Sequence, residues 1–442
     1  MNRRTFIRPL FGLLIFLAAL APISARAIEV QRVISPGGIE AWLVEDHTNP
    51  IIALAIAFRG AAALDPKGRA GLANMVSTLL DEGAGDLKSQ DFQRRLEDLS
   101  VRLHFSAGRD NFSGHLRTLT RNRDKAFGLL KLAITKPRFD AAAVARMRRR
   151  IMAGLRQDLE DPDAIAARRL FKTLFPDHPY GRPTDGTLAT VRAITIDDLR
   201  AFASARFAKN NLVIGVTGDI TAKELGPLLD STFGGLPAKS HGGGVPDVTP
   251  RAANDVIMIS KPMPQSTILF GQAGIKRNNP DFYAAYVMNR VLGGGGFTSR
   301  LFNEIREKRG LAYSVGSNLY PLRHSALILG SAGTASAKVG KTLEIVRAEW
   351  KRMAESGIAA AELKDAKTYL TGSFPLRFTS NQRIANILVG MQLDNLGIDY
   401  LKKRNGYIES VSLDQVNRLA RRLLKPEKLT FVIVGEASKP PE

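Results

Sequence analysis

The chain contains no cysteine, which excludes both disulfides and thiolate metal sites. Its six histidines, His47, His104, His115, His178, His241 and His324, include no pair four residues apart. No helix can therefore present two imidazoles to one metal from successive turns. Beyond the N-terminal segment there is no apolar run long enough to span a bilayer. The glycines Gly293 to Gly296 are not followed by the lysine of a G-x-x-x-x-G-K-[ST] phosphate loop. They read instead as a turn and close-packing device leading into a helix. Basic clusters such as Arg146/Arg148/Arg149/Arg150 and Lys402/Lys403/Arg404 have no interleaved aromatics. They read as solvated helix faces, which argues against nucleic-acid binding.

What remains is an ordinary globular composition, 44% hydrophobic and 24% charged over 442 residues. That length suits two domains of about 200 residues each, each able to bury its own core. Residues 1–27 have the form of an export signal. Arg3, Arg4 and Arg8 precede the apolar run from Leu10 to Ala21, and Ala25-Arg26-Ala27 is an A-x-A cleavage site. The same residues approximate a twin-arginine signal, so the Sec and twin-arginine routes both stay open. Either route places the mature chain in the periplasm with no stable membrane anchor after cleavage. Subtracting the segment's four arginines lowers the formal charge from +21 to +17, a surplus that favours acidic partners.

The sharpest internal feature is a repeat. Ile194-Thr195-Ile196-Asp197-Asp198-Leu199 recurs 217 residues later as Val411-Ser412-Leu413-Asp414-Gln415-Val416. The same offset carries the apolar strand Leu212 to Asp219 onto Leu429 to Glu436. Each copy reads as a capped helix, a short connector and a strand ending at Gly-acid. Duplication implies two similar halves, 28–236 and 255–442. Between them the Gly- and Pro-rich residues 237–254 read as a solvated linker. Strand patterns at Ala41 to Val44 and Ile51 to Phe58 restart after the linker at Val256 to Ile259 and Thr267 to Gly271. A helix is predicted after Asp140, its N-cap, with Val144, Met147, Ile151, Leu155 and Leu159 on one face. Val101 to Ala107 and Phe112 to Leu116 form a predicted hairpin. The expected fold class is α+β: two duplicated sandwiches, each a mixed, mostly antiparallel sheet with helices on one face, together half of a clamshell.

Three segments carry a family resemblance: Phe175-Pro176-Asp177-His178-Pro179-Tyr180-Gly181, the stretch LGGGGFTSRLFNEIR at 292–306, and Glu307 to Val315. In this order and spacing, with the two Gly-acid strand ends, they resemble the zinc metallopeptidases that include the pitrilysins, the insulin-degrading enzymes and the mitochondrial processing peptidase. The resemblance implies a helix bearing H-x-x-E-H, two histidines for zinc and a glutamate as general base, with a carboxylate ligand on a later helix. Here the matching helix begins at Gly71, and Asn74 and Thr78 hold the histidine positions, Ser77 that of the glutamate, and Gly154 that of the carboxylate. Neutral amide and hydroxyl oxygens are weak zinc ligands, and serine is no base near neutral pH. A Ser77/Thr78 nucleophile lacks a neighbouring base. His104 and His115 could face each other across the hairpin, with no third ligand evident.

One part of the family's machinery is kept. Arg306 and Tyr313 match an arginine and a tyrosine that the resemblance assigns to substrate binding and oxyanion stabilisation across the clamshell. The resulting expectation is a non-catalytic subunit in a hetero-oligomer that binds no cofactor itself. A zinc-bearing catalytic subunit would be its partner and peptides the substrate. A stand-alone peptide-binding or scaffold protein, using a strand edge, is the alternative.

Overall fold

The computed structural model describes residues 28–252 and 254–436; the predicted export segment 1–27 lies outside them. The first half supplies β1 (Gln31–Ile34), β2 (Glu40–Glu45), β3 (Ile51–Arg59), a small ribbon of β4 (Gly83–Ala84) and β5 (Leu87–Lys88), β6 (Arg102–Ala107), β7 (Asn111–Leu119) and β8 (Leu212–Gly218). The second supplies β9 (Val256–Ser260), β10 (Gln265–Ala273), β11 (Ala312–Pro321), β12 (Ala326–Ala335) and β13 (Thr430–Gly435).

The two main sheets run β1-β2-β8-β3-β7-β6 and β11-β12-β10-β13-β9. Reading the second from its other edge and setting β1 aside, the orders coincide: β2-β8-β3-β7-β6 against β9-β13-β10-β12-β11. In each sheet one neighbouring pair is parallel, β2 with β8 and β9 with β13, and the other pairings are antiparallel. The repeated strand at offset 217 therefore occupies the same place in both halves.

The continuous apolar run of β3 (IIALAIAFR) is buried along nearly its whole length, as expected of a strand covered on both faces. One face of each sheet lies on a core of its own half, centred on Phe58, Phe92 and Phe127 in the first and on Phe270, Trp350 and Phe431 in the second. The other face is closed by a helix from the opposite half. Helix Pro162–Leu174 sets Ala166, Leu170 and Leu174 against Leu327, Val432 and Val434 of the second sheet. Helix Asn381–Leu393 lays Ile384 and Leu388 on Trp42 and Val44, and Ala385 and Val389 on Ala57 and Val213 of the first. The helix approaches so closely that a Cβ on Gly215 would stand 2.5 Å from the Ala385 carbonyl oxygen.

The Phe175 to Gly181 motif fastens the halves together. Buried Tyr180 donates its hydroxyl proton to Asp110 (2.6 Å) and accepts the His324 N–H (3.0 Å). His178 accepts the Tyr180 N–H at Nδ1 (3.1 Å), so its proton sits on Nε2 and is donated to the Pro246 carbonyl (3.0 Å). Residues 237–254 are strapped down rather than free: Val248 N–H bonds to the His324 carbonyl and Arg251 N–H to that of Leu174. Burial, more than any neighbouring charge, holds the His178 pKa below its ordinary value. Its neutral form therefore contributes stability that is complete above the unfolded histidine value of about 6.5 and is lost as pH falls through the lowered folded value. Thermal melts between pH 7.5 and pH 5 should show this loss, and His178→Asn should reduce it.

Two local expectations are corrected. Helix Ala141–Asp158 starts after Asp140, but that carboxylate makes no cap and instead pairs with Arg138 (2.7 and 3.2 Å). Leu159 falls just past the helix end and is 53% exposed. The strong pull of a guanidinium two residues away outcompetes the weak cap bond.

Candidate functional site

The degenerate zinc position sits on helix Leu72–Ser77, which starts from Gly71 in a left-handed conformation (φ +91°). Its N-terminus is held by Asp65, whose carboxylate accepts the N–H groups of Gly71, Leu72 and Ala73 (2.9, 3.0 and 3.1 Å). Burial pushes the Asp65 pKa up to about 7, against the pull of those three donors. No sequence rule pointed to Asp65, because it caps from six residues upstream of Gly71 rather than from the N-cap position.

On this helix Ser77 is buried and donates to the Asn74 carbonyl (2.8 Å), while Thr78 donates to the Met75 carbonyl (2.9 Å). Both hydroxyls are thus spent on their own backbone. Gly154, on the helix Ala141–Asp158, has nothing within 4 Å of where a side chain would begin. The carboxylates nearest to it in sequence are engaged elsewhere: Asp158 with Arg168 (2.7 Å) and Glu160 with Lys261. The donor set does not fit zinc, which needs imidazole, thiolate or carboxylate ligands. Among the described residues, no group of three His, Cys, Asp or Glu side chains is placed to hold a metal. His104 and His115 do stand directly opposite on β6 and β7, and His115 lies beside Gln382 (3.3 Å), with no third metal ligand.

Restoring the motif alone should fail. Asn74→His, Ser77→Glu and Thr78→His together are expected to retain no stoichiometric zinc in elemental analysis. The carboxylate at Gly154 is still missing, and glutamate at the buried Ser77 position carries a desolvation penalty.

The second constellation is assembled. Ser299 caps a short helix, Arg300–Phe302, that loosens into a π-helical turn over Asn303–Glu307 carrying Arg306. Single π-turns of this kind recur at functional sites. Gly310 (φ +56°) ends it, its N–H bonding to the Arg306 carbonyl (2.9 Å), so the chain reverses into β11. There the register with β12 slips between Ala312 and Ser314, leaving Tyr313 as the extra residue of a bulge. A bulge re-aims the side chain it inserts, and Tyr313 is 77% exposed. The Arg306 guanidinium donates to the Tyr313 carbonyl (2.8 Å) and lies 4.8 Å from that ring's centroid and 4.9 Å from Phe302's. No carboxylate pairs with Arg306 among the described residues. Nearby Glu304 is already engaged by Lys308 and Arg309 (2.6 Å each), which hold its pKa below the usual range. The pair thus offers an unneutralised guanidinium and a phenol on an outward surface. Neither residue lines the cleft beside Trp42 and Met391 or the one beside Asp110 and Asp394.

Duplicated α+β halves, a helix with Asn74, Ser77 and Thr78 at the zinc-site positions, and a surface arginine–tyrosine pair define a zinc-peptidase-like fold. Residues 193–370 match the family model described as the peptidase M16 inactive domain. The chain is similar to the "non-peptidase homolog YmxG" of Helicobacter pylori, 28% identical over 97% of this chain and 99% of that one. A crystal structure of a peptidase M16 inactive domain from Pseudomonas fluorescens superposes with a TM-score of 0.86, at 28% identity, over 93% of this chain and 100% of that one. The periplasmic protease PqqL of Escherichia coli shares the fold (TM-score 0.78, 16% identity), covering 92% of this chain but 46% of that longer one. Along its length the chain is thus similar to homologues of the M16 peptidases, and residues 193–370 match their inactive-domain model.

Proposed function

We propose that the chain is the accessory, non-catalytic subunit of a periplasmic zinc-dependent peptidase. A separate partner carrying H-x-x-E-H would hold the zinc and hydrolyse peptides. This chain would supply half of the substrate chamber, with Arg306 and Tyr313 reaching toward the substrate carbonyl. The carrying observation is an asymmetry: every metal-site position is vacated, while the arginine–tyrosine pair is assembled and left unneutralised on the surface. The PqqL comparison supports the same reading, since there a fold like this one fills about half of a longer protease.

Chemically, a guanidinium and a phenol are both donors suited to an oxygen that gains negative charge. Exposure to solvent is what a half-chamber would show before its other half is added. Affinity purification of the native chain from periplasm should recover a stoichiometric zinc-bearing chain, and the mixture should cleave peptides that neither chain cleaves alone. Recovery of the chain alone, with peptides bound, would favour a stand-alone peptide binder instead.

A further inference from the structure

The duplication exposes a gap in the second half. In the first sheet the outer edge of β2 is covered by β1, antiparallel, with Ile34 opposite Glu40 and Gln31 opposite Leu43. The equivalent strand of the second sheet, β9, has no such cover among the described residues and forms the sheet's edge. Phe431 N–H bonds to the Asp255 carbonyl and Lys261 N–H to that of Gly435. Since alternate residues of a parallel strand face its neighbour, Asp255, Ile257, Ile259 and Lys261 face β13. The N–H and C=O groups of Val256, Met258 and Ser260 therefore point off the edge. Val256 is 51% exposed and Met258 37%, an apolar, unprotected edge of the kind that invites strand addition.

A charged groove of about 490 Å³ lies at the Val256 end of this edge. Arg169 and Lys172, from the exchanged helix, and Arg251, from the linker, line it and are all exposed. None of the three is in an ion pair among the described residues. With Asp255 as the groove's one acid, three cations less one anion leave a charge of +2. At the far end Lys261 is already neutralised by Glu160.

We propose that β9 is a docking edge for the extended C-terminal segment of an acidic partner, added antiparallel as β1 is to β2. In that orientation the incoming strand ends beside Val256, where its terminal carboxylate and acidic side chains meet Arg169, Lys172 and Arg251. An apolar side chain of the same strand covers Met258, as Val33 of β1 is buried in the first half. A second copy of this chain is disfavoured by its own net charge, +17 without the predicted export segment. This edge lies apart from Arg306 and Tyr313 and does not depend on the proposed peptidase role.

The test uses the full mature chain and two fluorescent peptides of alternating valine and threonine. One ends in two glutamates and a free carboxylate, the other in two glutamines and an amide. By fluorescence anisotropy the acidic peptide should bind, with the neutral one about tenfold weaker or more. Hydrogen exchange should slow at Val256, Met258 and Ser260 when the acidic peptide is present. Met258→Pro removes an outward N–H without touching the β13 ladder, and should abolish binding. Should that variant not fold, Lys172→Glu with Arg251→Glu, both at exposed positions, should weaken the acidic peptide by about tenfold or more. No binding, equal binding of the two peptides, binding insensitive to the charge reversals, or protection confined to β6 or β11 would overturn the proposal.

Discussion

Arg306→Ala is expected to lower the turnover of the reconstituted two-chain peptidase by about a hundredfold, the usual loss when one oxyanion donor is removed. The change should fall on kcat more than on KM, because a donor aimed at developing charge acts mainly in the transition state. Tyr313→Phe separates the parts of the pair. It keeps the ring beside the guanidinium and removes the hydroxyl, so a comparable drop would assign the effect to the phenol. Arg306→Lys should not rescue, since an ammonium cannot reproduce the planar fork that bonds the Tyr313 carbonyl while facing its ring. Folding should be unaffected in all three variants, because Tyr313 is 77% exposed and Arg306 is only partly buried and holds no ion pair among the described residues. Unchanged turnover would reduce the pair to surface residues and favour the stand-alone binding reading.

Leu388→Asp should have the largest effect on stability. Leu388 is fully buried where helix Asn381–Leu393 of the second half lies on the first sheet. Losing the leucine leaves a cavity, and the carboxylate cannot be solvated there, so a loss of about 4 kcal/mol or more is expected. Because this helix and Pro162–Leu174 are the helices seen to cross between the halves onto the opposite sheet among the described residues, the damage should also divide the molecule. Denaturant unfolding, expected to be a single cooperative transition in the wild type, should split into two transitions. Leu376→Asp, at a position already 71% exposed, serves as the control and should leave the midpoint unchanged. A single, merely shifted transition for Leu388→Asp would show that other contacts, such as the Tyr180–Asp110–His324 network, suffice to couple the halves.

Much of this protein was legible without coordinates, and the physical reason is locality. The offset of 217 between capped helices and terminal strands, the absence of histidine from the helix beginning at Gly71, and the glycine-ended turn between Arg306 and Tyr313 are all short-range patterns. Short-range patterns decide secondary structure and the identity of potential ligands, so the family resemblance, the α+β fold and the residues standing at the zinc-site positions were read from them. Which surfaces meet did not. The apolar stripes on Pro162–Leu174 and Asn381–Leu393 say that one face of each helix is buried, yet an amphipathic stripe carries no label for its partner sheet. Only tertiary packing shows that each helix covers the opposite half. The same holds for Asp65, which caps a helix from outside the capping register, and for Tyr180, whose partners lie 70 and 144 residues away. It holds for Tyr313, pushed outward by a bulge whose slip is defined only against β12, and for β9, whose edge is left open because no strand among the described residues comes to cover it.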